Sequence, residues 1–169
     1  MKLYEPFQFL TTAECDELIA YAQDKIQAGT TLTKGTVRNN RVAWYKDTKH
    51  WAKWISMFNE IDPVIDWIQT PQIGLYRPGE EYKWHVDTWP NYRTHIRHFT
   101  LTCELQSAPG GGIELEEYTI PKLQRGQALI FKPGDRHRAT SPTGGERISF
   151  TIWSMAKNQN KESFPNQQR

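Results

Sequence analysis

The sequence predicts an α+β chain: a double-stranded β-helix, or jelly roll, with N-terminal helices packed on one sheet. From Gln72 onward, short apolar or alternating runs recur between Gly- and Pro-bearing turns, roughly every 8–12 residues, as in antiparallel sandwiches and jelly rolls. Before them lie two stretches with apolar residues at helical spacing, enough to cover one outer face of a sheet. The 169 residues fit one domain with a real core. The expected organisation is a mainly helical buttress over 1–70, a jelly-roll core over 71–156 and a polar tail over 157–169.

Taken in order, Thr11-x-x-Glu14 is a capping-box signature. Cys15, Leu18, Ile19, Ala22 and Ile26 follow at helical spacing, which predicts a helix over 12–28 with Gly29 as its stop. Residues 29–41 read as a loop and Arg41–Tyr45 as a short strand. Trp51, Trp54, Ile55, Phe58 and Ile61 predict a helix over about 48–60, ended by Asp62-Pro63. Val64, Ile65 and Ile68 read as a further helical turn or two. Strands are then expected over 72–77, 82–86, 96–106, 113–118, 127–132 and 147–154. The turns between them are Pro78-Gly79, Pro109 to Gly112, Pro121 to Gly126, Pro133-Gly134 and Pro142 to Gly145. Residues 88–95, with Trp89 and Tyr92, form a loop and a candidate lid.

Composition excludes several classes. A net charge of +2, spread along the chain, argues against a nucleic-acid partner. No apolar run approaches the roughly 20 residues of a membrane span, and the first residues lack the apolar stretch of a signal peptide. A cytoplasmic protein is the expectation, with Cys15 and Cys103 as two buried thiols.

The chemistry concentrates in His85-x-Asp87. On a strand, residues i and i+2 share a face roughly 6–7 Å apart, near enough to converge on one ion. A third ligand must come from elsewhere, and His137 supplies one fifty residues on. Two imidazoles and one carboxylate, without thiolate and with positions left open, suit Fe(II) better than structural zinc.

The block from Leu75 to Trp153 resembles the Fe(II)- and 2-oxoglutarate-dependent dioxygenases, most nearly their prolyl 4-hydroxylase branch. The resemblance rests on Tyr76, Gly79, Tyr82, His85, Asp87, the run Gly110 to Leu115, His137, Arg147, Ser149 and Trp153. It implies Fe(II), 2-oxoglutarate and O2, with ascorbate as a reductant, and oxidative decarboxylation of 2-oxoglutarate to succinate and CO2. It assigns Arg147 to the distal carboxylate of 2-oxoglutarate, a pairing that suits a planar guanidinium. Collagen-type prolyl hydroxylases usually carry Lys there, so the departure bears on the substrate. Tyr76 and Ser149 are expected to add hydroxyls to the cosubstrate. Tyr82 and Trp153 are either the aromatic flanks of a target proline or core residues. Arg97 or Arg93 would touch a peptide backbone.

The implied partner is a peptide or protein carrying a proline. The alternatives are the same chemistry on another side chain, a free amino acid or a small molecule, or a cupin-like metal module without catalysis. His95 and His98 are expected behind the ligands or in the lid, with His98 on the same strand face as Thr100 and Thr102.

Overall fold

The computed structural model of the chain describes residues 1–27, 37–88 and 94–158. The expectations for the side chain of Ile26, for most of the 29–41 loop, for Trp89, Tyr92 and Arg93 of the lid, and for the tail beyond Asn158 lie outside the described residues.

The capping box forms as predicted. The Thr11 amide donates to Glu14 Oε2 at 2.8 Å, and the Glu14 amide donates to Thr11 Oγ1 at 3.2 Å. Helix α1 (Thr12–Gln27) follows and buries Cys15, Leu18, Ile19 and Ala22. The hydrogen bond from the Thr11 amide holds the Glu14 carboxyl below its ordinary value of 4.5. Its contribution is therefore full above that value and is lost as pH falls through the lower folded one. Glu14→Ala should cost about 0.5–1 kcal/mol at neutral pH, and urea titrations should show the gap closing toward pH 3.

A seven-stranded antiparallel sheet organises the rest. Its order is β1 (Phe7–Gln8), β8 (Gln127–Phe131), β6 (His95–Gln106), β10 (Arg147–Lys157), β4 (Gln72–Tyr76), β2 (Arg41–Trp44), with β3 (Ile65–Ile68) on the far part of β10. A second sheet has the order β5 (Tyr82–His85), β9 (His137–Thr140), β7 (Gly112–Leu115). These are the two sheets of the predicted jelly roll.

Three corrections concern the first seventy residues and the strand ends. Residues 65–68 are strand β3 rather than helical turns, because β10 runs on to Lys157 and offers them a pairing edge. Strands β1, β2 and β3 all join the large sheet, so the segment 1–70 contributes strands as well as helices. His137–Thr140, where a turn was read into His137, is strand β9.

Helix α1 lies against β2 and β6, and helix α2 (Trp51–Asn59) against β3. The face they cover is apolar: Ile73 and Leu75 from β4, Leu101, Cys103 and Leu105 from β6, and Ile148, Phe150 and Ile152 from β10 share one core with the helices. The period-2 pleat sends the intervening residues to the other face. These are Gln72 and Tyr76, Thr100, Thr102 and Glu104, and Arg147, Ser149, Thr151 and Trp153, and they are mostly polar. One sheet thus carries a core on one side and a polar chamber on the other. Among the described residues, both cysteines are buried and unbridged, and no helix is long and apolar enough to cross a membrane.

Candidate active site

Between the two sheets lies a cavity that, with its open mouth included, holds about 430 Å³ of empty space. Its wall includes Tyr76, Tyr82, His85, Asp87, His137, Arg147, Ser149 and Trp153, so eight of the nine predicted site residues line one space; the ninth, Arg97, packs behind it.

The sheets place the three candidate ligands. His85 and His137 are register partners on adjacent strands β5 and β9. Asp87 follows β5, and its amide donates to the Pro133 carbonyl at 2.7 Å, which ties it to the turn before β9. One ligand atom from each residue falls within 4.8 Å of the others. The His85 Nε2 stands 3.6 Å from Asp87 Oδ1, and the His137 Nε2 stands 3.5 Å from Oδ2.

Each imidazole is oriented from behind. Nδ1 of His85 lies 2.7 Å from the Lys83 carbonyl, and Nδ1 of His137 lies 2.9 Å from the Asp135 carbonyl. A carbonyl only accepts, so each Nδ1 carries a proton, and Nε2 is the nitrogen left to face Asp87 or a metal ion. A stack adds to the constraint on His85: the Tyr82 ring lies against it at 3.4 Å between centroids, with 10° between planes. The Arg38 guanidinium stands 4.6 Å from the Tyr82 centroid, over the ring.

Asp87 is held just as closely. Its Oδ2 accepts from Trp153 Nε1 at 2.8 Å and from Thr100 Oγ1 at 3.0 Å, and its carbonyl accepts from Arg97 Nη1 at 2.9 Å. Arg97 also stacks over the Trp153 ring at 4.0 Å. Burial alone would push this carboxyl up; the contacts with His137, His85 and Trp153 outweigh it and hold the group well below the usual carboxylate range. Trp153, read as a flank of the substrate or a core residue, and Arg97, read as a contact to a peptide backbone, are both engaged with Asp87.

At the other end of the cavity sits Arg147, almost fully buried. Its Nε and Nη2 donate to Glu104, while Nη1 has no partner. Among the described residues, Nη1 is the one buried, unpartnered side-chain polar atom on a residue of this cavity wall. Gly74 makes room here: a Cβ on it would lie 3.2 Å from both the Tyr76 and Ser149 hydroxyl oxygens.

His98 and His95 correct the sequence reading. His98 Nε2 donates to Asp62 Oδ2 at 2.9 Å, and His95 pairs with Asp66 at 3.2 Å, both outside the cavity wall. The cause is a bulge: Ser154 and Met155 on β10 pair with Phe99 and Arg97, so His98 is the extra residue. It shifts the alternation by one and turns Arg97, not His98, inward.

Residues 71–155 match the 2OG-Fe(II) oxygenase superfamily. The chain belongs to that superfamily. A PKHD-type hydroxylase of Teredinibacter turnerae is 31% identical over 96 residues, covering 51% of this chain and 42% of that protein. The match therefore spans less than half of that curated relative. Among solved structures, the viral collagen prolyl hydroxylase of Paramecium bursaria Chlorella virus-1 superposes with a TM-score of 0.72 at 24% identity, over 90% of this chain and 95% of that one. A Pseudomonas putida prolyl-4-hydroxylase gives 0.70 at 16%, over 91% and 92%. A carbocyclase of nogalamycin biosynthesis gives 0.68 at 11%, over 87% and 76%. At these identities the structures share the fold.

Fe(II), 2-oxoglutarate and O2 are what this superfamily uses. The residues of the new member fit them. Two imidazoles presenting Nε2 and one carboxylate converge, and a buried N–H group without a partner lies in the wall of the same cavity.

Glu104, Thr100 and Arg38 were not singled out from the sequence. Glu104 had a visible sign: a charged residue on the strand face shared with Thr100 and Thr102, inside an otherwise uncharged run. Arg38 had none, since it meets Tyr82 through an isolated bridge between distant segments.

Proposed function

We propose that the chain is an Fe(II)- and 2-oxoglutarate-dependent dioxygenase that hydroxylates a peptidyl proline. The observation that carries this is one cavity holding the His85, Asp87 and His137 ligand atoms together with the unpartnered Nη1 of Arg147. With Fe(II) and 2-oxoglutarate bound, O2 would be the oxidant: 2-oxoglutarate, losing CO2, takes one oxygen atom to become succinate, and the substrate takes the other. The protein's own residues bind and orient. His85 and His137 offer Nε2 and Asp87 offers a carboxylate oxygen. Arg147 Nη1, beside the Tyr76 and Ser149 hydroxyls, receives the distal carboxylate.

The prolyl reading draws on the names of the relatives above and on an aromatic pair: Trp44, 40% exposed, lies 6.4 Å from the ring of Trp153, which lines the cavity. A specific observation favours a second reading, in which the substrate is a different side chain or a small molecule. Tyr82 has His85 against one face and Arg38 over its ring, which leaves little aromatic surface for a proline.

Incubation with Fe(II), 2-oxoglutarate and a proline-rich peptide separates the readings. Succinate together with a one-oxygen mass gain on proline supports the first. Succinate without peptide modification supports the second, and no succinate at all sinks the enzyme assignment.

Trp153→Phe keeps the ring and removes the donor to Asp87. It should weaken divalent-metal affinity by about 10–100-fold, as measured by calorimetry, with only a small change in melting temperature.

A further inference from the structure

The fully buried pair of Arg147 and Glu104 is more than an ion pair in the core. Glu104 sits on the chamber side of β6 with its side chain 2% exposed. Nε of Arg147 donates to both of its oxygens at 3.1 Å, and Nη2 donates to Oε2 at 2.7 Å. Gly111 lets the arginine lie this way, since a Cβ there would come within 2.9 Å of Arg147 Cδ.

A guanidinium has one fork along Nε and Nη2 and a second donor edge that includes Nη1. Glu104 occupies the fork. An incoming carboxylate is left with the Nη1/Nη2 edge and meets a guanidinium whose charge is already balanced. It also meets a second carboxylate just across the same planar group, in a site where little water screens the repulsion. Burial already pushes the Glu104 carboxyl up, with Arg147 and Lys122 acting against the shift.

We propose that Glu104 competes with 2-oxoglutarate for Arg147, sparing only one edge of the guanidinium and thereby limiting how tightly the cosubstrate is held. This rests on the reading above that Arg147 receives the distal carboxylate. Glu104 would then set a working affinity rather than a maximal one, and neutralising it would strengthen the grip.

The test is calorimetric binding to the Mn(II)-loaded full chain, which avoids turnover. Two probes are compared: 2-oxoglutarate, and 2-oxobutanoate, which lacks the distal carboxylate. Glu104→Gln should tighten 2-oxoglutarate by about tenfold and leave 2-oxobutanoate within about twofold. Unchanged or weaker 2-oxoglutarate binding overturns the proposal, as does an equal gain for both probes.

Arg147→Ala is the control for the underlying reading. If it fails to erase the preference for 2-oxoglutarate, the cosubstrate assignment falls. If it erases the preference while Glu104→Gln changes nothing, only the competition falls. Should Glu104→Gln not fold, Glu104→Met is read in the same way. A chain that folds with neither gives Glu104 a purely structural role and overturns the proposal.

Discussion

Asp87→Ala should lower divalent-metal affinity by well over about 100-fold and bring succinate production to background. The lower bound comes from the cost of losing a group that merely orients a metal ligand, about 10–100-fold; losing the ligand itself costs more. Asp87 brings the only carboxylate of the three ligands and lies between two imidazoles at 3.5 and 3.6 Å. The substitution also strands the Trp153 N–H and the Thr100 hydroxyl, both of which donate to it in a buried setting. Each stranded group costs about 1–3 kcal/mol, so unfolding should shift as well. Anaerobic titration with Fe(II), or aerobic titration with Mn(II), reads the first effect, and urea unfolding reads the second. Retained affinity in a folded variant would remove Asp87 from the metal site.

Arg147→Ala should have two separable effects. Binding of 2-oxoglutarate should weaken by about 10–100-fold, the size expected for loss of a charge-assisted hydrogen bond, while metal affinity survives. Stability should drop by about 3–5 kcal/mol, because Glu104 is left buried without its partner. The stability loss has a pH signature. Burial raises the folded value of the Glu104 carboxyl above its unfolded one, and Arg147 is the chief group opposing that shift. Without the guanidinium the folded value climbs further. The protonated form then folds without the penalty, so the deficit should be smallest near or below the unfolded value and should grow as pH rises through the folded one. Urea titrations at pH 5 and pH 8 check the sign. A deficit that is larger at pH 5 would show that the carboxylate is compensated by something else. Loss of metal along with the cosubstrate would show that Arg147 belongs to a different part of the site.

How far the sequence alone reached depended on whether a feature was local. The capping box at Thr11 and Glu14, the alternation of β6 from Phe99 to Leu105 and the shared face of Arg147 and Ser149 on β10 depend on near neighbours, and they stand where expected. The candidate ligands were legible because His85 and Asp87 share a short strand end and His137 follows a turn rich in Gly and Asp. Strand β3 was not, since an apolar run of four or five residues is strand or helix only according to what pairs with it, and its partner lies over eighty residues away. The fate of His98 was equally hidden. A one-residue bulge inverts the face of everything beyond it, and no residue in His95 to Phe99 announces where it falls. Glu104 could be noticed but not interpreted, because its meaning lies in Arg147, on the neighbouring strand of the folded sheet.

The register of the small sheet has a mechanical consequence. His85 and His137 face each other on neighbouring strands, so an ion seated between their rings would act as a clasp across one rung of a short three-stranded ladder. Loading with metal should therefore slow amide exchange along β5 and β9 far more than along α1, which stands on the opposite side of the large sheet. Iron held there would do double duty: it would equip the chamber for chemistry and fasten the three-stranded wall that encloses it.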